Sequence, residues 1–432
     1  IATRTLPTIG VTEWTLSNGV RVLVKPTDFK ADQVIMSAYQ PGGLSLAPDA
    51  QFRAMSLASL VPSATGVGTF TPATLGKTLA GKAVGVSPNI SEYSEGFNGA
   101  ASPRDLQTML ELAYLYATAP RRDSVAFEAF RARIRPLIEN RTKTPETAFG
   151  DTLQALLTSH SPREAPITVA RLDSADFARS YDFYRSRFAD VTGMTFVFVG
   201  NVTLDSLRPM VERWLGSLPA SGHAPAWRDF GVRVMPGAVT RNVYAGSEPK
   251  ARTSIIFHGP GGTAQQERFE LNALADYLEL RLIDLLRIDQ GGTYSVSVRA
   301  DASKIPTPEY TVGVSFGAAP ERVDSLASTV FTVIDSLKAN DPTPAYVAKV
   351  KESWRRAHET EIRENSYWAS VLASYVRRGE DPAEIPNVER WMAGLDGATL
   401  RRAAQKYLSQ AQYVRVTLKP AAIPQPTPQP TH

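Results

Sequence analysis

The sequence contains no cysteine, which excludes disulfide bonds, thiolate metal sites and cysteine catalysis together. Histidine is scarce as well, since the 432 residues include five. A histidine-based zinc site needs two or three converging ligands, which helices supply at i, i+3 or i, i+4. No H-x-x-x-H, H-E-x-x-H or H-x-x-E-H pattern occurs, and the closest helical pair, His358 with Glu361, is interpreted as part of a polar helix face. The composition therefore leaves little from which to build a metal site.

Long apolar runs and a strong charge bias are also absent. No uncharged apolar run approaches the roughly 18 residues of a membrane span. The 47 basic and 43 acidic residues are interspersed and give a net charge of +4, whereas a nucleic-acid-binding protein clusters its lysines and arginines. The 43% apolar and 21% charged residues are typical of a globular protein. We therefore expect neither a membrane span nor a nucleic-acid partner.

The elements predicted from hydrophobic periodicity occur in the same order in each half of the chain. In the first half, a hairpin turning at Asn18-Gly19 and a further strand precede a helix over about residues 50–60. In the second half, a strand ends at residues 259–262 and is followed by a long helix and two strands. Each half closes with an apolar strand, one starting at Thr195 and the other at Tyr413. This repetition indicates an internal duplication.

The duplication predicts an α+β chain of two similar domains, each a mostly antiparallel sheet packed with helices. The first domain is predicted over residues 1–218 and the second over residues 241–419. Residues 219–240 carry proline and glycine between two periodic regions and are predicted to form an inter-domain linker. Residues 420–432 are rich in proline and are predicted to be a disordered tail. The start at Ile1, without an initiator methionine or a signal peptide, predicts a processed product or an excised piece.

Two motifs resemble functional loops but lack the required context. Residues 313–317 read G-x-S-x-G, yet the apolar alternation from Tyr310 to Phe316 continues through them, which favours a strand over a nucleophile elbow at Ser315. The Gly-rich residues 259–263 lack the phosphate-loop pattern, and Pro260 removes a backbone donor. A strand-ending turn is the better interpretation.

The most informative segment joins a helix predicted over about residues 265–288 to the next strand through Gly291-Gly292. Arg287 lies in the last predicted helical turn, and Tyr294 lies at the start of the strand. A chain reversal would bring the guanidinium and the phenol to one end of the sheet, where both can donate hydrogen bonds to a carbonyl oxygen that becomes an oxyanion. The alternative from the residues alone is a helix C-cap arginine and an edge tyrosine.

This segment resembles the insulinase (pitrilysin) family of zinc metallopeptidases, and the resemblance extends over the whole chain. Residues 287–296 are similar to the arginine–tyrosine pair of that family in spacing and setting. Residues 16–24 resemble its first hairpin, and Pro41-Gly42-Gly43-Leu44 resembles the turn ahead of its first helix. Residues 364–368 resemble a late helix of bacterial, zinc-protease-like members. The order of these motifs over two duplicated domains makes the resemblance specific.

One departure from the family concerns the zinc ligands. Active members carry H-x-x-E-H on the helix after the Pro-Gly-Gly turn, together with a more distant carboxylate ligand. Residues 52–60 contain no histidine and no acid, and Met55, Ala58 and Ser59 occupy the register of the ligands and the base. Thioether, methyl and hydroxyl groups cannot hold Zn²⁺ or activate its water. We therefore expect this chain to bind no zinc or other cofactor and to be inactive in isolation.

The resemblance implies that four such domains form two halves, which close like a clamshell around a peptide. One half holds Zn²⁺, and this chain resembles the other, C-terminal-type half. Its Arg287 and Tyr294 are implied to contact the substrate backbone and to support the oxyanion while zinc-bound water in the partner half hydrolyses the peptide bond. The partner half is expected either upstream on the same polypeptide or as a separate subunit.

Two alternatives remain: a structural core-type subunit, as in respiratory complexes, and a stand-alone peptide-binding module. The presence of both Arg287 and Tyr294 argues against the first. The absence of cysteine and the resemblance to bacterial envelope proteases predict the periplasm or the cell envelope, with the cytoplasm as the alternative.

Overall fold

A computed structural model describes residues 1–223, 226–288 and 293–421, with the side chains of residues 286–288, 293 and 294 excepted. The chain divides into two compact units, each of which combines segments that are distant in sequence. Unit 1 comprises Ile1–Leu137, Ile167–Phe230 and Arg355–Asn387, and unit 2 comprises Ile138–Pro166, Gly231–Trp354 and Val388–His432.

Runs of strands and runs of helices follow one another along the chain, as is typical of an α+β protein. The strands are β1 (Ala2–Leu6), β2 (Val11–Thr15), β3 (Arg21–Pro26), β4 (Val34–Pro41), β5 (Val84–Ile90), β6 (Ser94–Ala101), β7 (Thr195–Gly200), β8 (Ala238–Tyr244), β9 (Ala251–Pro260), β10 (Thr293–Ser303), β11 (Glu309–Ala318) and β12 (Tyr413–Lys419). The helices are α1 (Phe52–Met55), α2 (Val61–Thr65), α3 (Pro72–Thr78), α4 (Leu106–Thr118), α5 (Ser124–Arg141), α6 (Pro145–Leu157), α7 (Val169–Ser174), α8 (Phe177–Phe188), α9 (Leu204–Trp214), α10 (Gln265–Ile288), α11 (Val323–Ala339), α12 (Pro344–Glu361), α13 (Asn365–Arg378), α14 (Asn387–Gly394) and α15 (Gly397–Tyr407). Within the described residues, no helix is both long enough and apolar enough to cross a bilayer.

The sheet of unit 1 has the strand order β1-β2-β3-β7-β4-β6-β5. Strands β3 and β7 pair in parallel, and the other neighbours pair antiparallel. All of β7 is buried, because Phe196 and Phe198 pack into the core with Phe97 and Phe188, while Val197 faces a second cluster on the other side of the sheet. Burial on both faces explains the unbroken apolar run of this strand.

The sheet of unit 2 repeats this topology. Its order is β10-β11-β9-β12-β8, in which β8 and β12 pair in parallel and the other neighbours pair antiparallel. The series β8-β12-β9-β11-β10 thus corresponds strand for strand to β3-β7-β4-β6-β5 of unit 1. The predicted fold class, two duplicated and mostly antiparallel sheets packed with helices, is confirmed.

A helix from the distant part of the chain covers one face of each sheet. In unit 1, α13 packs on β4 and β7, where Leu372 is fully buried with Leu23 and Val197. In unit 2, α6 packs on β12, where Phe149 and Val416 share an apolar cluster. Both helices bury apolar residues against a sheet whose strands come from elsewhere in the sequence.

The helix predicted over residues 50–60 is the main error in the predicted elements. The structure has the single turn α1, a 3₁₀ turn at Ala58–Leu60, and then α2. Pro62 has no N–H to donate to the carbonyl four residues earlier, and the Ser56 hydroxyl donates to the carbonyl of Arg53 at 2.8 Å. These features interrupt the regular helical ladder, although the apolar spacing of the segment is helical.

The predicted boundaries of the domains at residues 218 and 241 stay predictions. Strand β8 begins at Ala238, within the segment predicted as the linker. Most of the predicted tail at residues 420–432 lies outside the described residues, which end at Ala421.

The turn at Pro41-Gly42-Gly43-Leu44 requires both of its glycines. Gly42 has φ +151° and Gly43 has φ +69°, and a Cβ on Gly43 would lie 2.3 Å from the carbonyl oxygen of Ser91. The Gly43 N–H donates to the carboxylate of Glu95, which is 2% exposed. Burial raises the pKa of Glu95 to about 7, although this hydrogen bond and the Arg187 guanidinium both lower it. A buried carboxyl group therefore fixes the turn.

The raised pKa of Glu95 makes the stability of the fold depend on pH. Because the pKa rises from 4.5 to about 7 on folding, the folded chain binds a proton that the unfolded chain releases between these values. The contribution of Glu95 to the free energy of unfolding should therefore fall as the pH rises from 5 to 7, by up to about 1.4 kcal/mol per pH unit. The Glu95→Gln variant, whose amide does not ionise, should show a flatter profile in urea unfolding.

The matched control is Glu111→Gln, since the Glu111 carboxylate accepts a hydrogen bond from Gln107 on the surface of α4 at 2.8 Å. This variant should keep the wild-type pH profile. Equal pH profiles for wild type and Glu95→Gln would show that Glu95 does not cause the dependence.

Candidate functional site

Arg287 and Tyr294 lie on either side of the connection between α10 and β10. The structure places Arg287 in the last turn of α10 and Tyr294 at the second residue of β10, as predicted for their backbone positions. Their side chains and the connecting residues 289–292 lie outside the described part of the chain. The four connecting residues keep the end of the helix and the start of the strand within about 18 Å of each other. The predicted role of the pair stays a prediction.

The backbone at Tyr294 is irregular. In the pairing of β10 with β11, Thr293 lies opposite Ala318 and Ser295 lies opposite Gly317, so the register shifts across Tyr294. Bulges of this kind are frequent next to active sites, where they interrupt the regular alternation of a strand.

A groove of about 880 Å³ opens on unit 2 beside this end of the sheet. Its floor is formed by β9–β12, and its walls by the first turn of α6 and the loop between β8 and β9. The residues that line it are Pro145, Glu146, Phe149, Ala245, Gly246, Ser247, Glu248, Lys250, Ala251, Arg252, Ser295, Ser297, Ser315, Phe316, Gly317 and Leu418. Because Ser295 directly follows Tyr294, the groove begins at the predicted site.

The groove lies on the sheet face opposite the main core of unit 2. Val298 points into that core, so the alternation of the strand places Ser295 and Ser297 on the other face. The Ser315 hydroxyl is hydrogen-bonded to the hydroxyl of Ser254 on the neighbouring strand. The floor is therefore a row of small hydroxyl side chains, which leaves room for a bound group and offers it hydrogen bonds.

The walls of the groove carry charges of both signs. The Lys250 ammonium lies 3.0 Å from the Glu248 carboxylate, and the Arg252 guanidinium lies 5.6 Å from the centre of the Phe149 ring. The lining therefore combines hydroxyls, an aromatic ring and charged groups, which suits an extended peptide better than an apolar ligand.

Ser315 does not occupy a nucleophile elbow. Strand β11 continues from Glu309 to Ala318 without a break, and Ser315 pairs with Ser254 on one side and Ser297 on the other. The elbow needs a sharp turn at the serine, so the prediction of a strand is confirmed.

The Gly-rich loop after β9 acts as a strand-ending turn. Strand β9 ends at Pro260, the Gly261 N–H donates to the carbonyl of Pro308 at 3.0 Å, and α10 begins at Gln265. The amide of Gly261 is thus already bonded within the protein, which agrees with the predicted turn.

The segment predicted to occupy the position of the zinc motif is packed with apolar groups. Ala58 is fully buried in the core of unit 1, Met55 packs against that core, and Ser59 lies beside them in the 3₁₀ turn. His358 has its ring edge-on to Tyr367, with 5.9 Å between the ring centres. In the described part of the chain, no group of three or more His, Asp or Glu residues is arranged to hold a metal ion.

The purified chain is therefore expected to bind no stoichiometric, tight zinc, since the Met55, Ala58 and Ser59 side chains are not ligands for it. The measurement is metal analysis by mass spectrometry after dialysis against zinc and then against buffer. One tightly held zinc per chain would contradict the expected absence of a metal site.

Residues 174–353 match the family model described as the peptidase M16 inactive domain. The predicted resemblance to the insulinase family, and to its C-terminal-type half, is thereby confirmed.

Similar proteins point to one group of zinc proteases. The chain is 26% identical over 442 residues to the zinc protease PQQL-like of Arabidopsis thaliana, covering 96% of this chain and 44% of that protein. It is 23% identical over 414 residues to the probable zinc protease PqqL of Haemophilus influenzae, covering 95% of this chain and 44% of that protein. The chain thus spans less than half the length of the curated relatives that it matches.

The solved structures include a similar fold. The crystal structure of the periplasmic protease PqqL from Escherichia coli superposes with a TM-score of 0.81 at 21% identity, covering 97% of this chain and 46% of that one. This likeness concerns the fold. The chain is thus similar over most of its length to PqqL-like zinc proteases, and its residues 174–353 match the model of the peptidase M16 inactive domain.

Sequence reasoning missed the groove. Its lining comes from four segments, at residues 145–149, 245–252, 295–297 and 315–317, together with Leu418. Ser295 and Ser297 alternate with apolar residues, and this pattern indicates a polar face of the sheet. It does not indicate which distant segments form the walls of a groove on that face.

Proposed function

We propose that this chain is the non-catalytic half of an M16-type zinc metallopeptidase and supplies substrate-binding and transition-state-stabilising residues to a zinc-bearing partner half. The observation that carries the proposal is the match to an M16 inactive domain in a chain whose residues 52–60 hold no zinc ligand. The partner's zinc would activate the water that attacks the peptide bond.

Arg287 and Tyr294 are the residues proposed to act on the reacting group. A guanidinium and a phenol are both hydrogen-bond donors, and a donor aimed at the carbonyl oxygen stabilises it most when it carries negative charge. Their positions on either side of a four-residue connection support a joint role. The isolated chain would bind the peptide without cleaving it.

The groove of unit 2 is proposed to hold the peptide segment that flanks the scissile bond. It begins at Ser295, next to Tyr294, and its hydroxyl floor and charged walls suit backbone and polar side-chain groups. Binding there would position the carbonyl group and would lower KM.

The partner is proposed to be a half of similar size, so that two units from each half enclose the peptide as a four-domain clamshell. The 44% coverage of the curated relatives supports a second half, either upstream on the same polypeptide or as a separate subunit. The periplasmic protease among the similar structures supports a periplasmic location.

Mixing the purified chain with its zinc-bearing half and following peptide cleavage tests this function. We expect hydrolysis to be fast for the mixture and slow for either half alone. If the partner alone cleaves as fast as the mixture, the chain is instead a structural subunit or a separate peptide-binding module.

A further inference from the structure

A second cavity, of about 350 Å³, lies in unit 1 beside the last turn of α13. We call it the Arg377 pocket. It is lined by Ser37, Ala38, Tyr39, Asn89, Ser91, Ser94, Asn98, Thr195, Val197, Ala373, Val376 and Arg377. Helix α13 covers β4 and β7 through its apolar residues and leaves this polar pocket where the helix ends.

The pocket has a positive charge without a matching negative one. Arg377 is its one basic lining residue, and no Asp or Glu is found among the described residues that line it. Burial raises the pKa of Tyr39, and Arg377 lies close enough to lower it in part. The phenol is therefore a neutral donor at physiological pH. Glu95 also raises the pKa of Tyr39, and this carboxylate accepts a hydrogen bond from the Gly43 N–H at the glycine turn.

Several donors in the pocket lack partners. Among the described residues, the side chains of Arg377, Tyr39, Asn89 and Asn98 make no hydrogen bond or ion pair. Arg377 and Asn98 are exposed, and Tyr39 and Asn89 are half-buried. The hydroxyl of Ser37 is buried, also without a partner within the described part of the chain. Among the described lining residues, burial demands a partner only for the Ser37 hydroxyl, whereas the Arg377 guanidinium and the asparagine amides are open to a ligand that enters from solvent.

We propose that the Arg377 pocket binds a carboxylate group, which accepts hydrogen bonds from the Arg377 guanidinium, the Tyr39 hydroxyl and an asparagine amide. A planar guanidinium matches the two oxygens of a carboxylate, and one positive charge among neutral donors matches one negative charge. The volume fits a small acid or the end of a chain rather than a long peptide segment.

Two sources can supply this carboxylate: the C-terminus of a peptide or a small free acid. The peptide source rests on the proposed peptide-handling function, whereas carboxylate binding does not. Binding is therefore measured with the full chain and no partner half. Because this measurement requires no proteolysis, carboxylate binding can be tested independently of the proposed peptide-handling function.

The test is fluorescence anisotropy of a labelled tetra-alanine peptide with a free C-terminus, compared with the same peptide as its C-terminal amide. The free acid should bind at least about tenfold more tightly, and acetate should compete with it. The Arg377→Met variant should lose about tenfold or more in affinity, and Tyr39→Phe should lose less, because it removes a neutral donor.

The matched control is Arg378→Met, since the neighbouring Arg378 donates to the Ser374 hydroxyl at 3.3 Å and does not line the pocket. It should bind like wild type, and circular dichroism should show all variants to be folded. A peptide acid that binds no better than acetate would support carboxylate binding with a small acid as the source. Equal binding of acid and amide, or full affinity of Arg377→Met, would overturn the proposal.

Discussion

Replacing Arg287 by alanine is expected to lower kcat of the protease reconstituted from both halves by about 10²–10³-fold, the typical cost of losing one oxyanion donor. Tyr294→Phe, which removes a single hydroxyl group, is expected to act in the same direction. Because the donors act mainly on the transition state, kcat should fall more than KM rises. The measurement is steady-state cleavage of a fluorogenic peptide, at a concentration of this chain that saturates the partner half.

The matched control for this prediction is Arg402→Ala on α15, whose guanidinium donates to the Thr399 hydroxyl at 3.0 Å. It removes the same charge from unit 2 while leaving both proposed oxyanion donors in place, and should keep the wild-type kcat. If Arg287→Ala and Tyr294→Phe bind the partner and still turn over at the wild-type rate, the pair has no catalytic role.

Replacing Leu372 by alanine is expected to reduce the free energy of unfolding of unit 1 by about 2–5 kcal/mol. Leu372 on α13 is fully buried with Leu23 and Val197, so truncation leaves a cavity between the helix and the sheet. Hydrogen–deuterium exchange should show faster exchange in β4 and β7, on which α13 packs, and unchanged exchange in β9 and β11.

Leu137→Ala is the matched control for Leu372→Ala, because Leu137 is 72% exposed and loses little apolar contact on truncation. Its effect should stay within about 0.5 kcal/mol. Faster exchange in β9 and β11 with β4 and β7 unchanged would place Leu372 in unit 2 and contradict the structure.

Local patterns were sufficient to predict much of the fold. The Asn18-Gly19 turn predicted the β2–β3 hairpin, and apolar periodicity gave α10 with its observed bounds. Strand β1 was missed because four of its five residues are exposed and carry no alternation. Strand β8 was missed because its start adjoins Pro236 and Gly237, which are typical of a linker.

The assignment of helices to units could not be predicted, since it depends on packing between distant segments. The apolar faces of α6 and α13 indicate that each helix is buried, but the pattern does not name the sheet that buries it. In the structure, Leu372 packs on a strand that begins at Thr195, and Phe149 packs with Val416.

The two candidate sites also differ in whether their residues are close together in the sequence. Arg287 and Tyr294 are close in sequence and match a family pattern, so the sequence alone singled them out. The Arg377 pocket joins residues near positions 37, 89–98, 195 and 377, and no local pattern connects them. Sites built from distant strands become visible only when the fold is known.

The most direct measurement is a titration of the zinc-bearing half with this chain while the rate of peptide hydrolysis is recorded. The rate should rise with each addition and reach its plateau at one chain per partner half. If the rate does not depend on added chain under conditions in which the two halves are shown to associate, the proposed contribution of this chain to catalysis is contradicted.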